Sequence, residues 1–382
     1  MKIAVVHNLP SGGAHRRLAS QMKHLQGEVT EICLQTAAPI TADARVVALR
    51  PYAPRFPRPL RPPLRYVDLL ALERAWRQAA REIRNVHPDV VYLNPCRYFN
   101  GPPVLRPDLP RAVYFCDEPR RIDAEPALQS TRNSVTNAPY APMYARQRRV
   151  DRTAAGRAWS LATNSNYTAS EIGRVYGRSA TVVRMGVADT LLEAASEDPC
   201  TSGRFLLSVG ALIPTKGHDL ALRAAANSRG RLPVRVVAPR PDSSEEQRLH
   251  ALARSLGVNL SVEVGISDGE LASRYRTAFA TLYLAEREPL GLVSLEAQAC
   301  GCPVIVAAEG GLPETIVDGV TGWQVPRDPT AAAVSIDRLE EPEVRQRASE
   351  AARGHAQGWT WRASAAHIQA LLDAACDAKV PT

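Results

Sequence analysis

No apolar run in this 382-residue chain approaches the roughly 18–20 residues that span a bilayer. The opening Met1-Lys2-Ile3-Ala4-Val5-Val6 is too short for a secretory core and lacks a small-residue cleavage site. It reads as a first buried strand, and the two absences together point to a cytoplasmic protein. The seven cysteines (33, 96, 116, 200, 300, 302 and 376) include no C-x-x-C pair and no Cys/His array with zinc-ligand spacing. An odd number placed in strand-like and helix-like runs predicts reduced, mostly buried thiols rather than disulfides or a metal. Lysine is nearly missing: Lys2, Lys23, Lys216 and Lys379 are all there is, so the net charge of +8 is carried by arginine. Codon composition accounts for such a bias more simply than function does, and the bias makes Lys216 conspicuous. The charge would permit phosphate, membrane or nucleic-acid contact. No zinc finger, RNA-binding aromatic-glycine signature or basic helix interleaved with aromatics is present, which argues against nucleic acid. No D-x-D signature ends a strand, so no metal is called for.

What is present suits two α/β domains, since a single core rarely grows past about 250–300 residues. Hydrophobic residues make up 45% and charged residues 23%, enough apolar material for sizeable cores. Strand-like runs near 2–7, 28–34, 45–49, 89–93, 111–116, 160–164 and 180–183 alternate with helical patterns near 13–26, 66–86 and between 143 and 176. A polar stretch from Glu193 to Gly203 is the best linker candidate. The rhythm then restarts, with strands at 205–209, 233–238, 261–264, 279–284 and 303–307. Helices at 217–228, 244–256, 269–276 and 292–300 fall between them. The expected architecture is therefore two successive doubly wound, Rossmann-like domains, over 1–190 and 200–358, facing across a cleft. Ligands in such sheets bind at the carboxyl ends of the strands.

Residues 50–65, RPYAPRFPRPLRPPLR, hold five Arg, six Pro and no acid. The plain expectation is an extended, polyproline-like surface loop. Arg55, Arg58 and Arg61 with Phe56, Leu60 and Leu64 would also suit an anionic or lipid-linked acceptor, or a membrane surface.

The densest chemical signal is 286–322. Glu288 and Glu296 stand eight apart, with Pro289-Leu290-Gly291-Leu292 after the first. A loop turning at Gly291 into a helix directs free backbone N–H groups and the positive dipole end outward, where a diphosphate binds well. With Glu288 on the loop and Glu296 one turn inside the helix, one carboxylate can reach a donor sugar while the other holds two ribose hydroxyls. Lys216 follows a strand and a turn and precedes a helix, an uncomfortable place for an idle cation. There it can neutralise charge developing on a departing diphosphate.

Together with Gly310-Gly311 and Glu314, this stretch resembles the E-x7-E donor motif of glycosyltransferase family 4. Ser11-Gly12-Gly13-Ala14 with Arg16 is similar to that family's N-terminal glycine loop, and Arg149 to Arg152 with Asn164 to Tyr167 to the end of its first domain. Leu207 to Gly210 with Lys216-Gly217 resembles its phosphate loop. Trp359 and Trp361 fall where the family's last helix, here about 360–382, packs back on the first domain. The resemblance implies the GT-B fold and a retaining transfer from a UDP- or GDP-sugar to a hydroxyl of a small-molecule, glycan or lipid-linked acceptor. No cofactor beyond the nucleotide sugar is expected, and with no D-x-D signature at a strand end no metal. Donor contacts fall on Gly13, Lys216, Arg240, Ile266, Glu288, Leu290, Gly291, Leu292 and Glu296; acceptor contacts fall on Gly12, Gly13, Arg16 and Asp117. Glu288, Lys216 and Asp117 would carry catalysis. Three departures stand out: Ala211 replaces the usual arginine, Ala238-Pro239-Arg240-Pro241 a Gly-x-Gly turn, and Asp117 the histidine ending the strand run Val113–Cys116. Arg240 is a candidate to supply the missing phosphate charge. A GT-B epimerase or phosphorylase and a non-catalytic nucleotide-sugar-binding protein are the rival readings, because fold does not fix function.

Overall fold

The computed structural model describes residues 1–50, 61–121, 140–193 and 204–378. Residues 51–60 of the Pro/Arg segment and 194–203 of the expected linker lie outside them, as does Cys200. The chain divides into two compact units, Met1–Arg184 with Trp361–Thr382, and Met185–Thr360. The division falls ahead of the polar stretch because Met185, Val187 and Leu191 are already buried. The Val187 N–H also donates to the Trp359 carbonyl, tying this segment into the second unit.

In the first unit, β1 (Lys2–Asn8), β2 (Glu28–Leu34), β3 (Arg45–Val47), β4 (Val90–Cys96), β5 (Ala112–Phe115), β6 (Ser160–Thr163) and β7 (Thr181–Val182) form one sheet ordered β3-β2-β1-β4-β5-β6-β7. Every neighbouring pair is parallel; Ala4, for instance, lies opposite Thr30 on one side and Val91 on the other. All seven residues of β4 are buried, as expected of a parallel strand with both faces covered. The covering helices include α1 (Gly13–Met22), α2 (Arg61–Val86), α3 (Ala141–Arg157) and α4 (Asn166–Tyr176). Trp76, Ala79 and Ile83 of α2 join Ile32, Leu34 and Leu93 in one core. Helix α2 opens five residues earlier than its apolar periodicity indicates, so 61–65 are helical rather than loop. Prolines 62 and 63 fall in its first turn, where the missing N–H groups cost no intrahelical bond. Helix α4 is closed at both ends, by the Ser165 side chain accepting from the Thr168 N–H and by left-handed Gly177.

The second unit repeats the plan with β8 (Leu206–Val209), β9 (Val234–Ala238), β10 (Leu260–Val264), β11 (Ala280–Tyr283), β12 (Val304–Ala307) and β13 (Gly322–Val325), ordered β10-β9-β8-β11-β12-β13 and all parallel. Its helices are α5 (Asp189–Glu193), α6 (His218–Asn227), α7 (Ser243–Leu256), α8 (Asp268–Thr277), α9 (Leu292–Ala299), α10 (Pro329–Arg338) and α11 (Pro342–Ala356). Strand β13 is four residues long and carries an exposed Gln324, so its sequence gives little periodic signal. It is specified by its pairing with β12, Ile305 opposite Trp323. In both sheets the strand order reverses once, between β1 and β4 and between β8 and β11. At such a reversal the connections leave in opposite directions and open a crevice at the carboxyl edge.

The final helix, Trp361–Asp377, belongs to the first unit and packs on α1, β4, β5 and β6. It buries Ala365, Ile368 and Leu372 completely. Leu372→Ala should therefore cost about 2–5 kcal/mol. The loss should fall on the first unit's transition alone when near-UV dichroism or calorimetry resolves the unfolding of both units.

Candidate functional site

The site residues of the second unit gather at the β8/β11 reversal. After β8 the chain passes through a 3-10 turn, Pro214–Lys216, and then Gly217 at φ +73°. A Cβ on Gly217 would lie 2.3 Å from the Leu284 carbonyl oxygen, so only glycine lets this loop rest on the segment that follows β11. The Glu286 N–H donates to the Thr215 carbonyl at 2.7 Å and joins the two loops. That seam delivers Lys216 Nζ to 2.7 Å from Glu288 Oε2 and 3.3 Å from the Tyr283 hydroxyl. Lys216 and Glu288 are each about one-fifth exposed, so the pair is sheltered yet reachable. Tyr283, the last residue of β11, also hydrogen-bonds Glu288; burial and that negative charge push its phenol well above the ordinary range. Two residues after Lys216, buried His218 accepts from the Ser208 hydroxyl at Nδ1 and donates from Nε2 to the Ala211 carbonyl. Burial lowers its pKa, in keeping with a neutral ring.

Glu288 leads into the α9 N-terminus. Gly291 caps that helix at φ +108° without a side-chain bond, so first-turn N–H groups are offered outward. The Gly310-Gly311 turn supports this backbone from behind. The Gly311 N–H donates to the Glu288 carbonyl at 2.8 Å, and a Cβ there would fall 2.2 Å from the Pro289 oxygen. Glu296 accepts a 3.1 Å hydrogen bond from Tyr275, a fully buried residue of α8. Each carboxylate of the E-x7-E pair is thus backed by a buried tyrosine. Sequence reading missed both tyrosines, because aromatic residues at a strand end and on an amphipathic helix look like ordinary core. Leu290 is buried and Leu292 begins the helix. Arg240 and Ile266 lie two residues past β9 and β10 respectively, on the same carboxyl edge; Arg240 is exposed and Ile266 half-buried.

At the carboxyl edge of the first unit's sheet, exposed Gly12 and Gly13 stand at the start of α1. Arg16, chosen from the sequence, is exposed, whereas Arg17 is entirely buried. Arg17 shares the inward face of α1 with Leu18 and Gln21, a spacing legible in the sequence had its charge not argued for the surface. Its guanidinium holds Asp117 with two bonds, Nε to Oδ1 at 2.9 Å and Nη2 to Oδ2 at 3.0 Å. Nearby, Arg120 donates to Gln147 Oε1 at 3.1 Å. The Asp117 carbonyl accepts from Asn164 Nδ2 at 2.8 Å.

Among the described residues, His7, Glu31 and Cys33 bring three ligand-type atoms within 4.8 Å of one another. Hydrogen bonds already engage two of the three, His7 and Glu31. His7 Nδ1 accepts from the Leu9 N–H, which puts the proton on Nε2, 2.8 Å from Glu31. Glu31 also accepts from the Ile40 N–H, the Thr41 N–H and the Thr41 hydroxyl. Burial pushes the Cys33 thiol up to about 12. It is one of five buried free cysteines among the described residues, Cys376 being exposed. Burial opposes ionisation of Glu31, but the bonds from His7, Ile40 and Thr41 outweigh it and hold the carboxyl at about 2. Burial also lowers the His7 pKa. Both depressed values stabilise the fold above the unfolded-state pKa and lose that contribution as pH falls. Stability should decline below about pH 6.5 as the unfolded His7 protonates, and more steeply below about 4.3 as the unfolded Glu31 does. Glu31→Gln should flatten the lower part of that slope, measured by urea unfolding between pH 7 and 3.

With this geometry in hand, likeness to known proteins becomes specific. Residues 194–355 match the family model of glycosyl transferases group 1. A D-inositol 3-phosphate glycosyltransferase of Frankia alni is 42% identical over 182 residues, covering 43% of each chain. One of Saccharomonospora viridis is 34% identical over 242 residues, covering 56% of this chain and 54% of the relative. The chain thus spans about half the length of the curated relatives it matches. In fold, sucrose-phosphate synthase of Thermosynechococcus elongatus superposes with a TM-score of 0.73 at 20% identity, over 97% of this chain and 98% of that one. Anabaena HepE, solved with UDP, gives 0.72 at 18%, over 98% and 100%. The chain therefore has the GT-B fold, and within it residues 194–355 are similar to the group 1 glycosyl transferases.

Proposed function

We propose that this chain transfers a sugar from a UDP- or GDP-linked donor to a hydroxyl group, with retention at the anomeric carbon. The observation that carries the reading is the Lys216–Glu288 pair at the β8/β11 reversal, beside the uncapped N-terminus of α9. An ammonium and free N–H groups converging at one place form a diphosphate site. In this reading Lys216 and the 290–292 backbone take the charge of the leaving diphosphate. Glu296 holds the ribose hydroxyls, Glu288 orients the donor sugar, and Ile266 flanks the base. Arg240 supplies the phosphate charge that Ala211 does not. The acceptor oxygen attacks C1 from the face the diphosphate leaves; the C1–O bond to phosphate breaks, and the acceptor proton passes to a phosphate oxygen. The two glutamates are then donor ligands rather than a hydrolase acid and nucleophile pair.

Acceptor binding falls to Gly12, Gly13, Arg16 and Asp117 of the first unit. The curated relatives are named for D-inositol 3-phosphate, a phosphate-bearing polyol. An anionic acceptor of that class also suits a chain of net charge +8. No helix among the described residues is long and apolar enough to cross a membrane. Action in the cytoplasm, with peripheral contact at the inner membrane face, belongs to the same proposal; residues 51–60, the segment expected to make that contact, lie outside the described ones.

UDP, UDP-glucose and GDP-linked sugars should be compared by thermal shift and calorimetry, with D-inositol 3-phosphate as first acceptor. A donor that binds should raise Tm by mass action. Lys216→Ala should cost about 2–4 kcal/mol of barrier. Glu296→Ala should weaken donor affinity, and Glu288→Ala should mainly lower turnover. A chain that binds no nucleotide, or that splits the donor only with inorganic phosphate as acceptor, would overturn the reading.

A further inference from the structure

Arg17 is a buried cation whose five N–H donors all reach acceptors. Nε and Nη2 hold Asp117, Nη2 also reaches Asn94 Oδ1 at 2.9 Å, and Nη1 reaches Gln21 Oε1 at 2.8 Å and the Tyr92 hydroxyl at 3.1 Å. The plane of the guanidinium rests on Phe115, 3.8 Å from the ring centroid. These acceptors are themselves fixed. Tyr92 donates to Gln21, Gln21 donates to Ser364 of the final helix, and Asn94 donates to the Tyr92 carbonyl. Each member of this set is hydrogen-bonded to another, so the carboxylate is gripped by a mutually fixed frame.

Asp117 differs from the other members in one respect. Arg17 has no exposed side-chain surface, but Asp117 keeps a fifth of its own, two residues past the end of β5 on the carboxyl edge of the sheet. A carboxylate offers about four lone-pair sites. Two face Arg17, and the outward ones remain for a ligand. Toward a ligand this side chain can only accept, so it binds a hydroxyl hydrogen and repels a phosphate.

We infer that Arg17 is a positioning residue: through two bonds it fixes the Asp117 carboxylate as the acceptor for a hydroxyl of the sugar-accepting polyol. The inference rests on the glycosyl-transfer reading and adds a specificity to it. The group that meets Asp117 is a neutral hydroxyl face, and any phosphate on the acceptor lies elsewhere.

Arg17→Lys tests this in the full chain, since lysine keeps the charge but cannot grip a carboxylate with a planar fork. The expected result is a UDP dissociation constant within twofold of wild type and a KM for D-inositol 3-phosphate raised at least tenfold. Asp117→Asn should show the same loss, and the double variant should lose little more, because the two act as one unit. A lowered Tm with unchanged acceptor KM would make the pair purely structural and overturn the inference. Should neither variant fold, Tyr92→Phe removes one support of Arg17 at almost constant volume. An acceptor KM raised about threefold would then support the role, and an unchanged KM would overturn it. Failure of the wild-type chain to bind UDP or UDP-glucose would instead sink the glycosyl-transfer reading beneath it.

Discussion

A parallel strand cannot be reached by a tight turn, so each connection must cross the sheet face, usually as a helix. When successive crossovers first build outward on one side and then on the other, two adjacent strands end with diverging loops. Both units obey this constraint, at β1/β4 and at β8/β11. Everything chemical in the second unit follows from that one gap. Lys216 comes from the loop after β8 and Glu288 from the loop after β11, 72 positions apart, and they meet because those strands are neighbours.

The gap alone would be a loose crevice. Close backbone approaches make it a defined one. The Gly217 turn rests on Leu284, and the Gly310-Gly311 turn rests on Glu288 and Pro289, at distances no side chain would allow. Gln298 ties this second turn to the helix layer, donating to the Thr315 carbonyl and meeting His355 at its oxygen. Buried polar groups that are fully satisfied hold such geometry rigid, whereas one missing partner would cost the desolvation of a whole group. The first unit uses the same device around a charge. Arg17 is stable in the interior only because every donor is met and Asp117 balances it.

The alternation of strands and helices, the two-unit plan and the E-x7-E stretch were legible in the sequence because each is local. Period-2 and period-3.6 patterns register burial, and a glycine before a helix registers a turn whatever lies nearby. Helices α10 and α11 and strand β13 were not foreseen, β13 being too short for its own pattern to outweigh its surroundings. The early start of α2 was hidden by a proline-rich composition that reads as loop, although prolines also open helices.

What only the tertiary structure decided are the pairings between residues far apart in the chain. From the sequence alone, Lys216, Glu288 and Glu296 were candidates by type and spacing, and Asp117 by the family resemblance. That Tyr283 and Tyr275 stand behind the two glutamates depends on which helix and strand lie against them. That Arg17 rather than Arg16 turns inward depends on the presence of Asp117, 100 positions later, to receive it. An arginine's propensity is for water, and only a carboxylate brought to it by the fold reverses that preference.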